Sequence, residues 1–150
     1  MSGQASRATN LIATGSYVGA TILVYQLLKP VNRNLSLLAA LFSFIGCTIS
    51  FVATLRIAVV PVNPLFFFGL HCLTVGCLIY RSTYLPRVVG ALLAIGGLGW
   101  VTFVSPTLAK SLSPFNMFPG IVGEGTLSLW LIFAGVNAYR WDAKAGAQGG

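Results

Sequence analysis

Charge is almost missing from the long middle of this chain. Five apolar runs, at about 11–28, 35–60, 65–80, 85–104 and 118–139, follow one another with only short breaks of proline, asparagine, serine and basic residues. A water-soluble domain carries about 25% charged residues. This chain has 7%, beside 56% hydrophobic. So little polar material cannot cover a globule in water, so lipid must solvate most of the surface. A helix satisfies its own backbone in lipid, and a run of about 20 apolar residues is long enough to cross it. The fold expected is therefore all-α: a polytopic transmembrane helical bundle of about five spans, one domain over residues 1–150, with no extramembrane domain. The polar stretches 1–10 and 140–150 read as mobile tails.

The breaks are sharp. Lys29-Pro30 ends the first run, Pro61 and Pro64 bracket a turn, Arg81–Arg87 forms a loop, and Pro106, Pro114 and Asn116 mark another. Arg7 ahead of the first run raises the possibility of a signal peptide. The run is long for one and lacks a small-x-small cleavage site, so a retained span is expected.

Nine basic residues against two acidic ones give a net charge of +7. They stand singly or in pairs between apolar runs, never as a block. That is the pattern of membrane anchors and topology signals rather than of a nucleic-acid interface, and no nucleic-acid partner is expected. Lys29, Arg33, Arg81, Arg87, Arg140 and Lys144 fall on one side of a five-span bundle, and Arg7, Arg56 and Lys110 on the other. The richer side belongs in the cytoplasm, which puts the N-terminus outside and the C-terminus inside a bacterial cytoplasmic membrane.

Small residues recur at helical spacing, and in lipid such stripes let two backbones approach. They are Gly15 and Gly19; Ser36, Ala40, Ser43, Cys47, Ser50 and Thr54; Gly69, Cys72 and Gly76; Gly90 and Ala94 with Gly96-Gly97; and Gly120, Ser128 and Gly135. Packing within the bundle explains them, and a seam facing another chain or a second copy is the alternative. Cys47, Cys72 and Cys77 all lie inside apolar runs, and Cys72 and Cys77 would be about 140° apart on a helix. Buried thiols are expected, not a disulfide or metal framework.

An ordered set of motifs adds to this. Lys29-Pro-Val-Asn-Arg33, Phe68-Gly-Leu-His-Cys-Leu73, Gly76, Leu78-Ile-Tyr-Arg-Ser82, Tyr84-Leu-Pro-Arg87, Gly90, Gly97-Leu-Gly99, Gly123-Glu124 and Leu129-Trp-Leu131 together resemble the bacterial integral membrane family known as domain of unknown function 4386. The resemblance spans roughly residues 17–141. It implies a polytopic membrane protein and supplies no activity. Two departures mark a compact branch: a further N-terminal span is expected to be missing, and the connection between the second and third runs is very short.

Few residues inside the runs can carry chemistry. Intramembrane ionisable groups are costly, so they default to functional hypotheses. Glu124 lies about 9 Å into the fifth run and shares a face with Gly120 and Ser128, pointing it into protein. It reads as a carboxyl fixing helix packing, as a proton- or cation-linked site, or as a contact with a partner subunit. Arg56 lies on the same side of the membrane. It pairs with Glu124 or, being opposite the small-residue face of its helix, snorkels to the interface. His71, the only histidine, reads as a hydrogen bond across helices or as a cofactor ligand to a haem or chlorin, which would need a second chain for its other axial ligand. No metal site is expected. The only aspartate is Asp142 in the tail, so no Ser-His-Asp set forms within the membrane, and an enzyme is not expected. Two functions remain: an accessory or structural subunit of a larger membrane complex, or self-associating scaffold; and a small-molecule or proton-linked transporter or binder using Glu124 and His71. A haem- or pigment-associated subunit is a third.

Overall fold

Asparagine sets several of the helix boundaries. Asn32, Asn63 and Asn137 each accept a hydrogen bond from a backbone N–H in the first turn that follows, at 3.0 Å to Leu35, Leu65 and Arg140 respectively. Such caps satisfy donors that a helix start leaves orphaned. The structure, a computed structural model, describes residues 2–147. Seven helices result: α1 Ser2–Leu28, α2 Arg33–Leu55, α3 Pro64–Arg81, α4 Arg87–Val101, α5 Pro106–Leu112, α6 Met117–Phe133 and α7 Ala138–Gly146, with a 3-10 turn at Thr102–Val104 between α4 and α5. Among the described residues the fold is all-helical, with no separate extramembrane domain. Four helices are long and apolar enough to cross a membrane, and α6 with α7 makes up to a fifth span.

Several boundaries differ from the sequence expectation. Residues 2–10 continue α1 instead of forming a tail. The second helix stops at Leu55, short of residue 60. Arg56 takes the left-handed conformation at φ 57°, its N–H donating to the Ala53 carbonyl while that of Ile57 reaches Val52. Those two bonds close the helix as a glycine usually would. The loop after α4 holds the short helix α5. The fifth run breaks before residue 139. Gly135 sits at φ 65°, its N–H bonded to the Trp130 carbonyl, and α7 leaves at 100° to α6. Residues 140–146 are therefore helical. Met1 and 148–150, the ends of the expected tails, lie outside the described residues.

The helices pack in chain order. α1 lies on α2, α2 on α3, α3 on α4 and α4 on α6. This meander leaves α1 and α6 as its two ends. The tightest contact is α3 against α4, where Gly69 faces Gly97 and Gly76 faces Gly90. A Cβ at Gly76 would lie 2.6 Å from the Ala94 nitrogen and 2.7 Å from the Gly90 oxygen, and one at Gly97 would lie 2.8 Å from the Gly69 oxygen. Nothing larger than hydrogen fits there. Gly96 and Gly123 let α4 and α6 meet as closely, backbone to backbone.

The α1–α2 contact is polar by comparison. Thr21 Oγ1 and Ser43 Oγ are hydrogen-bonded at 2.5 Å, and Ser36 Oγ donates to the Tyr25 carbonyl at 3.1 Å. Ser43 and Cys47 are buried, and Ser50 is half-buried. Outward faces carry large apolar side chains such as Leu23, Ile132 and Phe133, each more than 70% exposed, as lipid contact requires.

At the basic end the Leu27 carbonyl ties three segments together. Val31 bonds Leu28 instead of continuing the helical ladder, which frees Leu27 to accept from the Tyr84 hydroxyl at 2.6 Å and from Trp141 Nε1 at 3.0 Å. Arg140 Nη1 adds a bond to the Thr83 carbonyl at 3.1 Å. The loop after α3 and the amphipathic α7 are thereby fixed to the end of α1.

Candidate functional site

Because α1 and α6 are the two ends of the row, a cleft forms where they face each other over α3. Its cavity measures about 150 Å³. Tyr17 and Thr21 from α1, His71 and Cys72 from α3, and Glu124 and Ser128 from α6 supply polar groups, while Val24, Val75 and Leu131 supply apolar wall. Glu124 is nine residues from the end of α6 and His71 ten from the end of α3. At 1.5 Å per residue each is about 15 Å from its helix end, near the middle of a ~30 Å hydrocarbon core.

The carboxyl is held from one side. Gly120 leaves room for the Trp100 ring to lie against α6, where any Cβ would collide with the indole. One turn further on, Trp100 Nε1 donates to Glu124 Oε1 at 2.8 Å, and Cys72 Sγ donates to the same oxygen at 3.5 Å. An indole N–H inside a membrane needs an acceptor, and here it finds the one acid within a span. The second oxygen, Oε2, accepts from no described residue and is not sealed away from open space.

His71 is 7% exposed and hydrogen-bonded through Nδ1 to the Ala39 carbonyl at 2.9 Å. A carbonyl only accepts, so Nδ1 carries the hydrogen, and in the neutral ring Nε2 is an acceptor. Nε2 has no partner among the described residues. The Tyr17 ring stands edge-on to the imidazole, centroids 6.1 Å apart.

The structure thus brings Glu124 and His71 to one cavity and leaves Arg56 out. Arg56 is exposed at the cap of α2, carried off the helix by its left-handed turn, and the partners of Glu124 are Trp100 and Cys72. The cavity is well below the 300–1,000 Å³ of pockets that bury drug-sized ligands. Of the expected packing residues, Gly69, Cys72, Gly76, Gly90, Gly97 and Gly120 sit at helix contacts. Gly15, Gly19 and Gly135 do not: a Cβ at any of them would meet nothing within 4 Å. The first two face outward on α1, and Gly135 ends α6.

Trp100 and Tyr17 were not among the residues expected at the site. A signal for Trp100 was present, since a tryptophan among Gly96, Gly97 and Gly99 lies on a helix face made for close contact. For Tyr17 there was none.

A family model described as a domain of unknown function, DUF4386, matches residues 61–135. That stretch runs from just before α3 to the end of α6 and includes His71, Trp100 and Glu124. A protein of Archaeoglobus fulgidus named only as uncharacterized is 31% identical over 129 residues, 79% of this chain and 76% of its own length. No solved structure matches the chain.

Proposed function

The chain belongs to the DUF4386 family, and from that premise we propose that it is a membrane binder or carrier of a small molecule, acting by binding rather than catalysis. The observation that supports this is the intramembrane cavity lined by both Glu124 and His71, whose Oε2 and Nε2 have no partners among the described residues.

Ligand-dependent thermal unfolding of the full chain in detergent tests this, using a set of probes of about benzene size. A saturating ligand at 100 times its Kd stabilises by about 2.7 kcal/mol. Glu124→Gln keeps the volume and an acceptor for Trp100, so it is expected to fold while losing the response to probes that donate hydrogen bonds. A shift that survives unchanged in Glu124→Gln and His71→Phe would place binding elsewhere.

A second reading is an accessory or self-associating subunit of the cytoplasmic membrane. Its support is the stripe of Gly15 and Gly19, which faces outward on α1 with nothing against it. In either case the six basic residues gathered at one end of the bundle favour a cytoplasmic C-terminus. A reporter fused after Gly150 should be active on the cytoplasmic side and one inserted at Lys110 on the opposite side; the reverse pattern would refute this orientation.

A further inference from the structure

The groups left open in the cleft define the chemistry of its guest. We infer that it is a small organic ammonium ion with a short hydrocarbon group. This rests on the reading that the cleft is a binding site, and it adds which class of molecule binds.

The inference follows from what each polar atom is already doing. Trp100 and Cys72 occupy one oxygen of Glu124, and Oε2 remains. Ala39 fixes the hydrogen of His71 on Nδ1, so in the neutral ring Nε2 presents a lone pair. The Thr21 hydroxyl is engaged with the Tyr17 carbonyl and with Ser43. The hydroxyls of Tyr17 and Ser128 rotate and serve either as donor or as acceptor. With Glu124 ionised, the state a cationic guest would select, the two vacancies are both acceptors, and among the described residues lining the cavity there is no Lys or Arg.

A guest that can only accept, such as a ketone or a phosphate, has the Tyr17 and Ser128 hydroxyls as donors but leaves Oε2 and Nε2 unanswered. An ammonium group brings three donors, enough for Oε2, Nε2 and a hydroxyl, and its bond to a carboxylate is of the charge-assisted, stronger kind. Val24, Val75 and Leu131 then take a hydrocarbon group. Size sets the limit: a cavity of about 150 Å³ is comparable to those that hold a single benzene, so the guest has only a handful of heavy atoms.

The test is isothermal titration of the full chain in nanodiscs of neutral lipid, with empty nanodiscs as the blank. The probes are n-butylammonium and butanone, alike in size and opposite in hydrogen-bonding sense. Butylammonium is expected to bind at least tenfold tighter. Glu124→Gln is expected to remove that preference while leaving butanone within about twofold, since it spoils the charged acceptor and not the volume. Ala20 also lines the cavity from α1 and makes no hydrogen bond to Glu124 or its partners; Ala20→Phe, which fills the cleft, is expected to abolish both signals, and it carries the test if the Gln variant does not fold. Butanone binding as tightly as butylammonium overturns the ammonium inference and leaves a binding site standing. No saturable binding of either probe overturns the inference and the binding reading together.

Discussion

The α3–α4 seam and the α1–α6 cleft share one helix, α3, and are built in opposite ways. At the seam four glycines bring two backbones together with no side chain between them. At the cleft α3 presents His71, Cys72 and Val75 to a space that α1 and α6 border without closing. Lipid tails are as apolar as leucine, so helix association in a membrane rests on close packing and hydrogen bonds instead of on hydrophobic burial. The seam has the packing. The α1 side has a few hydroxyl bonds, Thr21 to Ser43 and Ser36 to the Tyr25 carbonyl. One face of α3 is thus locked by geometry, and the neighbouring face borders the open cleft.

The largest effect is expected at the seam. Gly76→Ala places a methyl carbon 2.6 Å from the Ala94 nitrogen and 2.7 Å from the Gly90 oxygen, both backbone atoms that cannot swing away. Overpacking of this kind costs about 1–3 kcal/mol, and Gly76→Leu is expected to lose the folded bundle. Thermal unfolding in detergent measures both. An alanine variant that melts with the wild type would show a looser seam and erase half of the comparison.

A smaller effect is expected where the ends of α1, α3 and α7 are tied. Tyr84→Phe removes the bond to the Leu27 carbonyl, worth about 0.5–1.5 kcal/mol. Burial pushes the Tyr84 hydroxyl from 10.0 up to about 12. The folded state therefore holds this proton more firmly than the unfolded chain does. The resulting stability is complete below pH 10 and is lost as pH rises towards 12, with a slope of at most about 1.4 kcal/mol per pH unit. The wild type should accordingly lose more stability than Tyr84→Phe between pH 9 and pH 11. Equal losses would mean that the hydroxyl titrates as it does in the unfolded chain.

What the sequence discloses divides along the same line. The apolar runs and their breaks make the all-helical membrane fold legible, and the spacing of Gly69, Gly76, Gly90 and Gly97 makes the seam legible, because each is a local property of one helix. Glu124 and His71 stand out because charge and imidazole are rare in such runs. That they share a cavity is not legible, since it depends on α1 and α6 being the ends of a row. Nor is the turn at Arg56, where an arginine takes the conformation usually left to glycine. The 100° break at Gly135 was hidden by the same ambiguity that affects Gly15 and Gly19: a glycine in an apolar run marks a contact, a helix end or a bare surface equally well.

Gly15 and Gly19 give the smallest expected effect and sharpen the comparison most. Leucine at either position has open space around its Cβ, so the melting temperature of the monomer should stay within the range of surface substitutions, about 0.5 kcal/mol. The two glycines lie on the face of α1 opposite Tyr17, Ala20, Thr21 and Val24, as the 100° step between residues requires. Butylammonium binding should therefore be unchanged. Association between copies of the chain, followed by energy transfer between labelled proteins in liposomes, separates the two proposed functions. Loss of association with intact folding and binding would assign the stripe to a partner helix. Intact association would leave it facing lipid and remove the support for a scaffold. A large drop in monomer stability would mean that this face of α1 is packed inside the bundle, and the open cleft would have to be redrawn.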